Sequence, residues 1–410
     1  PTGIQGIQGP TGNKGPQGIQ GPTGPTGPGG PSTGFKRTAW LDLNGNDTTA
    51  QVQGANKMAY PWLTLDAIID YLRNFGGTGG EGWTINVMPG VYSVPKQLLI
   101  NEGNSGLTIK LMGGAQLYAA GAIGTKPFIK IENTTNDPDK PVSLVIAGDN
   151  PANLYNPTDT GSGQYNNGIS TGGNGWFMNN QGMEAFIQFA GNNAEEMKKE
   201  VSLSNCAVIN PYTGSSPSPI FDIISNCRDA YINVYNCYLE NKGTSNIGAT
   251  GILLNSDADF QPSNMSLLFR DTYMTFDQEN LSAFQLKSLD AANLKVDTLF
   301  RDNIFYARNT SQKTILCGYF YTRAQATQNW RNTWSSNLFF TEGTATGGGS
   351  DAMWYDSGVT TNSIVIQNTS PSISNGDTTS TAGSINVVTA PLVPLIGNQK
   401  LFAPDELNRS

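Results

Sequence analysis

Carboxylates are the groups in this chain best placed to break bonds, because its 410 residues include no histidine. Histidine-based triads and the common zinc sites are thereby excluded. Two acidic side chains, one donating a proton and one acting as base or nucleophile, are the arrangement that cleaves glycosidic bonds. Asp222 in IFDII, Glu240 in YLEN and Asp356 in WYDSG are the acids expected to face outward from strand-like runs. They are scattered along the chain, so no residue is assigned a catalytic role. SDAD at 256–259 is the nearest approach to an acidic calcium cluster and reads as a polar turn. No metal and no cofactor is expected.

Four cysteines, at 206, 227, 237 and 317, lack the CxxC spacing of metal or redox motifs. Cys206 and Cys237 sit at equivalent places in two similar segments, so a stacked fold would bring their chains about 4.8 Å apart. A disulfide is geometrically open to them. Two buried reduced thiols are the expectation.

A different chemistry is suggested by Tyr155, Tyr165, Trp176 and Phe177. They stand in a Gly/Asn-rich stretch, 149–183, where rings could stack on sugars while amides bond to hydroxyls. The alternative is that these aromatics pack the stretch onto its scaffold or a neighbouring chain.

What must position these groups is a repeat. VSLSN, INVYN, LLFRD, TLFRD, TWSSN and IVIQN each run through a short apolar alternation to an amide or acid. Those residues are Asn205, Asn236, Asp271, Asp302, Asn337 and Asn368, spaced 31, 35, 31, 35 and 31 apart. A period of that size without helical patterning predicts a coil of parallel strands in which each turn stacks on the last. Asn and Asp suit the corner, since a short polar side chain tolerates left-handed backbone angles. A β-sandwich would instead repeat every 8–12 residues with no longer register.

Ahead of the coil, LTLDAIIDYLRNFGG predicts a short amphipathic helix with Thr64 as N-cap and Leu65, Ile68, Ile69 and Leu72 on one face. Residues 35–60 read as irregular. The chain opens with ten uninterrupted Gly-x-y triplets through Gly30. Only glycine fits the crowded axis where three polyproline-type chains meet, so this run predicts a collagen-like triple helix and hence a homotrimer. The expected organisation is a stalk at 1–34, a lead-in segment with its capping helix at 35–82, the coil at 83–390 with a loop insertion at 149–183, and a C-terminal cap or tail at 391–410.

A net charge of −8 argues against nucleic acid as partner, since displacing its counterions needs basic stripes. No stretch is apolar enough to insert in a membrane. Pro1 is not an initiator methionine, so a fragment or processed product is expected.

LDLNGNDTTA, PWLTLDAIIDYL and INVMPGVY resemble the start of the pectate-lyase-like right-handed parallel β-helix, in which a short helix caps the coil. The recurrent Asn or Asp resembles that family's asparagine ladder. A collagen-like stalk joined to such a coil is further similar to bacteriophage tail fibres and tailspikes. The resemblance implies an all-β solenoid, a virion-tail or extracellular location, a bacterial surface polysaccharide as ligand, and other tail or surface-assembly proteins as partners on the N-terminal side. No catalytic motif of the glycan-degrading members can be matched here. Two alternatives remain: a polysaccharide lyase or hydrolase on the same scaffold, and a structural collagen-like protein of a bacterial or spore surface.

Overall fold

The computed structural model describes Gly3 and residues 37–53, 56–74, 82–134, 141–149, 174–191, 198–212, 218–223, 229–241, 252–256, 264–277, 284–288, 295–308, 319–322, 329–342, 354–355, 363–369 and 385–389. Beyond residue 241, side chains are described in 264–274 and 297–304, and the remaining strands by their backbone. The chain divides after Lys36. The expected stalk, Gly3 apart, and the expected tail at 391–410 lie outside the described residues.

From Arg37 onward the fold is mostly β, built from parallel strands in three ladders. The first holds the longest runs, including Val142–Gly148, Lys198–Ser204, Asp229–Tyr235, Asn264–Arg270 and Lys295–Arg301, paired in parallel without a slip. The second holds Ala115–Ala119, Gly175–Phe177, Ala207–Asn210, Tyr238–Asn241, Tyr273–Asp277 and Ile304–Arg308. The third holds Leu98–Ile100, Ile129–Glu132, Ile187–Ala190, Phe221–Ile223 and the strands that follow them. The chain visits first, second and third ladder, then returns to the first one level further on. Parallel neighbours need a long crossover. Here the crossover is the other two sides of the turn.

Alternation explains the core. In Val142–Gly148 and Asp229–Tyr235 every second residue is buried, as a strand with one face inward requires. In-register stacking lines those positions into columns, one running Ala39, Ile85, Ile109, Ile146, Leu203, Val234, Phe269 and Phe300, each fully or almost fully buried. Phe269 and Phe300 stack with centroids 5.0 Å apart. Each Ile, Leu, Val or Phe of the column contributes about 1.5–3 kcal/mol by leaving water.

The corners between first and second ladder are left-handed. Asn205, Asn236, Asp271 and Asp302 have φ of 52°, 49°, 51° and 56°, and among the described residues no other non-glycine has positive φ. Asn236 Nδ2 donates to Asn205 Oδ1 at 2.9 Å, one level below. Asp271 and Asp302 cannot donate in this way. Burial, and next the charge of Asp302, raise the Asp271 carboxyl above its ordinary value. One level below Asn205 the equivalent residue is Gly148, which ends its strand without a positive φ and where a Cβ would come 1.9 Å from the Asn205 carbonyl oxygen. Asn337 and Asn368 differ from this expectation. At Asn337 the strand Asn329–Glu342 continues, and because Arg301 pairs with Ser335 and Ile304 with Leu338, Asn337 stands opposite Asn303 and not Asp302; the register shifts only against the next strand, Ser363–Thr369. Asn368 stays in the ladder, paired with Thr389.

The lead-in caps the open end of the stack. Helix Leu65–Asn74 buries Leu65, Ile68, Ile69 and Leu72, the i, i+3, i+4, i+7 face that meets the core. Asp66 in its first turn and Arg73 in its last suit the helix dipole. The Thr64 carbonyl accepts from Ile68 N at the start of this helix, while its hydroxyl donates to Asp47 Oδ2 at 2.8 Å. Residues 35–60 are not irregular throughout: Thr38–Leu41 pairs with Thr84–Val87, and Asp47–Gln53 is a helix of about two turns. Both are too short to show a period of their own.

Candidate functional site

The third ladder places the two most chemically suggestive groups on its outer face. Phe221 and Ile223 enter the core, so Asp222 between them points away, in register with Gln188 on the neighbouring strand. Gln188 Nε2 donates to Asp222 Oδ2 at 3.0 Å and to Glu184 Oε2 at 3.3 Å. Accepting from one nitrogen holds these oxygens within about 6 Å, an upper bound that admits the roughly 5–5.5 Å spacing of retaining carboxylate pairs. Asp222 is 8% exposed, and burial pushes its carboxyl up to about 6, with the Gln188 bond opposing and the Glu184 charge adding to the rise. Glu184 is exposed. A carboxyl that keeps its proton near pH 6 beside a second one in water can donate and accept across one substrate.

The second ladder's outer face carries the aromatics. Tyr118 stacks on Phe177 at 4.3 Å between ring centroids, and Tyr238 on Tyr273 at 5.4 Å. Tyr118 Oη donates to Gln116 Oε1 at 2.8 Å and Tyr238 Oη to Glu240 Oε2 at 3.3 Å. These residues form a hydrophobic cluster separate from the core, and all are buried. Glu240 therefore faces outward as expected but is closed off, 8% exposed.

The ring-stacking expectation needs correcting at Trp176 and Phe177. Both belong to the coil strand Gly175–Phe177, paired with Ala207–Asn210. Trp176 is fully buried, edge-on to Phe128 and Phe186 at 5.5 and 5.6 Å, and Phe177 lies in the outer cluster. Strand alternation sends the first inward and the second outward, and neither ring is open to a ligand. Tyr155, Tyr165 and Asp356 lie outside the described residues.

What the structure describes of the 149–183 insertion is how it is held. Asp149 follows the last residue of Val142–Gly148, and Asn174 precedes Gly175–Phe177. Asn174 Nδ2 donates to Asp149 Oδ1 at 3.1 Å, while Gly113 N donates to Asp149 Oδ2 and Gly114 N to Asn174 Oδ1, each at 3.0 Å. Both ends of segment 150–173 are thus clasped at one corner of the coil.

Cys206 and Cys237 are free and buried. The neighbouring Cys237 thiol and burial together push the Cys206 thiol well above its ordinary range, which keeps it protonated and unreactive. An inner amide pair escaped the sequence reading: Asn210 Nδ2 donates to Asn241 Oδ1 at 3.1 Å, and both side chains also donate to the Ser218 carbonyl. Their separation of 31 repeats that of Asn205 and Asn236 and was the available signal. No protein family, curated protein or solved structure matches this chain.

Proposed function

We propose that this chain is the receptor-binding subunit of a bacteriophage tail fibre or tailspike, a homotrimer with a collagen-like stalk and a right-handed parallel β-helix that recognises a bacterial surface glycan. The observation that carries the reading is the clasp between Asp149 and Asn174. It fixes both ends of a Tyr-, Gly- and Asn-rich segment, 150–173, on a rigid stack of turns, and binding surfaces are best carried by loops that a scaffold positions. The right hand follows the general preference of parallel β-connections. Ten triplets in a triple helix would span roughly 90 Å, a length that serves reach. The test is retention of the full chain on a panel of immobilised lipopolysaccharides and capsular polysaccharides. At least one surface should retain it, and Tyr155→Ala with Tyr165→Ala should weaken that binding about tenfold or more without changing the unfolding midpoint. Retention no stronger than that of serum albumin on every surface would overturn the reading.

A second reading, glycan cleavage, is favoured by one geometry, the Asp222–Gln188–Glu184 group. Asp222 would donate the proton and Glu184 serve as base or nucleophile. Release of new reducing ends from a retained polysaccharide, abolished by Asp222→Asn, would support it. Binding without any such release would leave a receptor-binding protein alone.

A further inference from the structure

The described surface is unevenly apolar. Its exposed large hydrophobic residues are Leu43, Val52, Met58, Tyr60, Leu63, Val91 and Tyr235. All but Tyr235 belong to the lead-in or to the first turn it covers. Tyr235 stands apart on the coil, with the Arg270 guanidinium over its ring at 5.5 Å.

The other six lie on elements folded onto one another. Asn46 N donates to the Pro61 carbonyl and Trp62 N to the Trp40 carbonyl, which doubles the lead-in back on itself. Leu43 covers the backbone of Gly90, where a Cβ would come 2.8 Å from its Cδ1, and Val91 follows. The nearby acids are half-buried and already engaged: Asp42 accepts from Asn44 N, and Asp47 accepts from Leu63 N, Thr64 N and the Thr64 hydroxyl. Val52, at 76%, is the most exposed of the six. The terminal turn of a stacked repeat keeps a polar outer face when water is its only neighbour. An apolar one marks a contact surface.

We infer that the exposed apolar residues of the lead-in and first turn are where the three copies of the chain meet one another. The occupant is identified by where the triplets stop. Gly30 is followed by only six residues, 31–36, before Arg37, so whatever gathers three chains at Gly30 also gathers three lead-ins. The inference rests on the trimeric reading above and adds the surface that serves it.

The test is short-range cross-linking of the full chain with a bismaleimide at Val52→Cys, Met58→Cys and, as control, Tyr235→Cys, alongside native mass. The unmodified chain supplies the background, with Cys206 and Cys237 buried. If the face joins the copies, denaturing gels of the Val52→Cys or Met58→Cys chain show dimers and trimers about tenfold above that background, because neighbouring thiols react at millimolar effective concentration. Tyr235→Cys stays at background. A trimeric mass with neither position 52 nor position 58 exceeding Tyr235→Cys overturns this surface alone. A monomeric mass overturns the trimeric reading and the surface with it.

Discussion

Replacing Asn236 by alanine and, separately, by glycine separates the two reasons for an amide at this corner. The residue has φ 49°, and its Nδ2 donates to Asn205 Oδ1 at 2.9 Å. Both substitutions remove that bond, at about 1 kcal/mol. Alanine also places a Cβ in the left-handed region, which costs about 1–2 kcal/mol more. Glycine escapes that cost but leaves a more flexible unfolded chain, at about 0.5–1 kcal/mol. Asn236→Ala should therefore destabilise by about 2–3 kcal/mol and exceed Asn236→Gly by up to about 1.5 kcal/mol, summing the same contributions. Ser202 supplies the control, because it lies within the extended run Lys198–Ser204. There the order should reverse, with Ser202→Gly the weaker chain. The assay is the urea midpoint of the four variants at one pH. Alanine more stable than glycine at position 236 would refute a left-handed corner.

Trp176→Ala should cost about 3–5 kcal/mol, because it empties the space between Phe128 and Phe186, whereas Trp176→Phe should cost about 1.5 kcal/mol or less; thermal unfolding of the pair checks this. Asp222→Asn should change how stability depends on pH. Because burial raises its folded value from 3.8 to about 6, the contribution of Asp222 is complete below about pH 4 and lost as pH rises through 6. The lifted value corresponds to about 3 kcal/mol, so the wild type should lose that much more than Asp222→Asn between pH 4 and pH 7.5. Parallel pH profiles of the urea midpoint would contradict it.

The corners at Asn205, Asn236, Asp271 and Asp302 could be located in the sequence because one residue type recurs at intervals set by a complete turn. The capping helix was legible for a similar reason, since Leu65, Ile68, Ile69 and Leu72 mark one face over ten residues. Trp176 was not, because Gly175–Phe177 has only three residues and follows a long polar stretch that gives alternation nothing to run on. Nor was Gln188, a polar residue in a short strand. Its partner Asp222 comes 34 residues later, and the two become neighbours only when the third ladder stacks. Asn337 illustrates the reverse failure: the 35-residue interval from Asp302 suggests a match, but Arg301 pairs with Ser335 and Ile304 with Leu338, so this level is 34 residues long and Asn337 stands opposite Asn303 instead.

Native mass of the full chain in dilute solution bears most directly on whether ten triplets join three coils into one particle. A mass three times the 43.8 kDa of the chain is expected, falling when bacterial collagenase removes the triplets only as far as the lead-in contacts permit. A particle of 43.8 kDa, or a stable dimer, would contradict the collagen-like stalk and the fibre built on it.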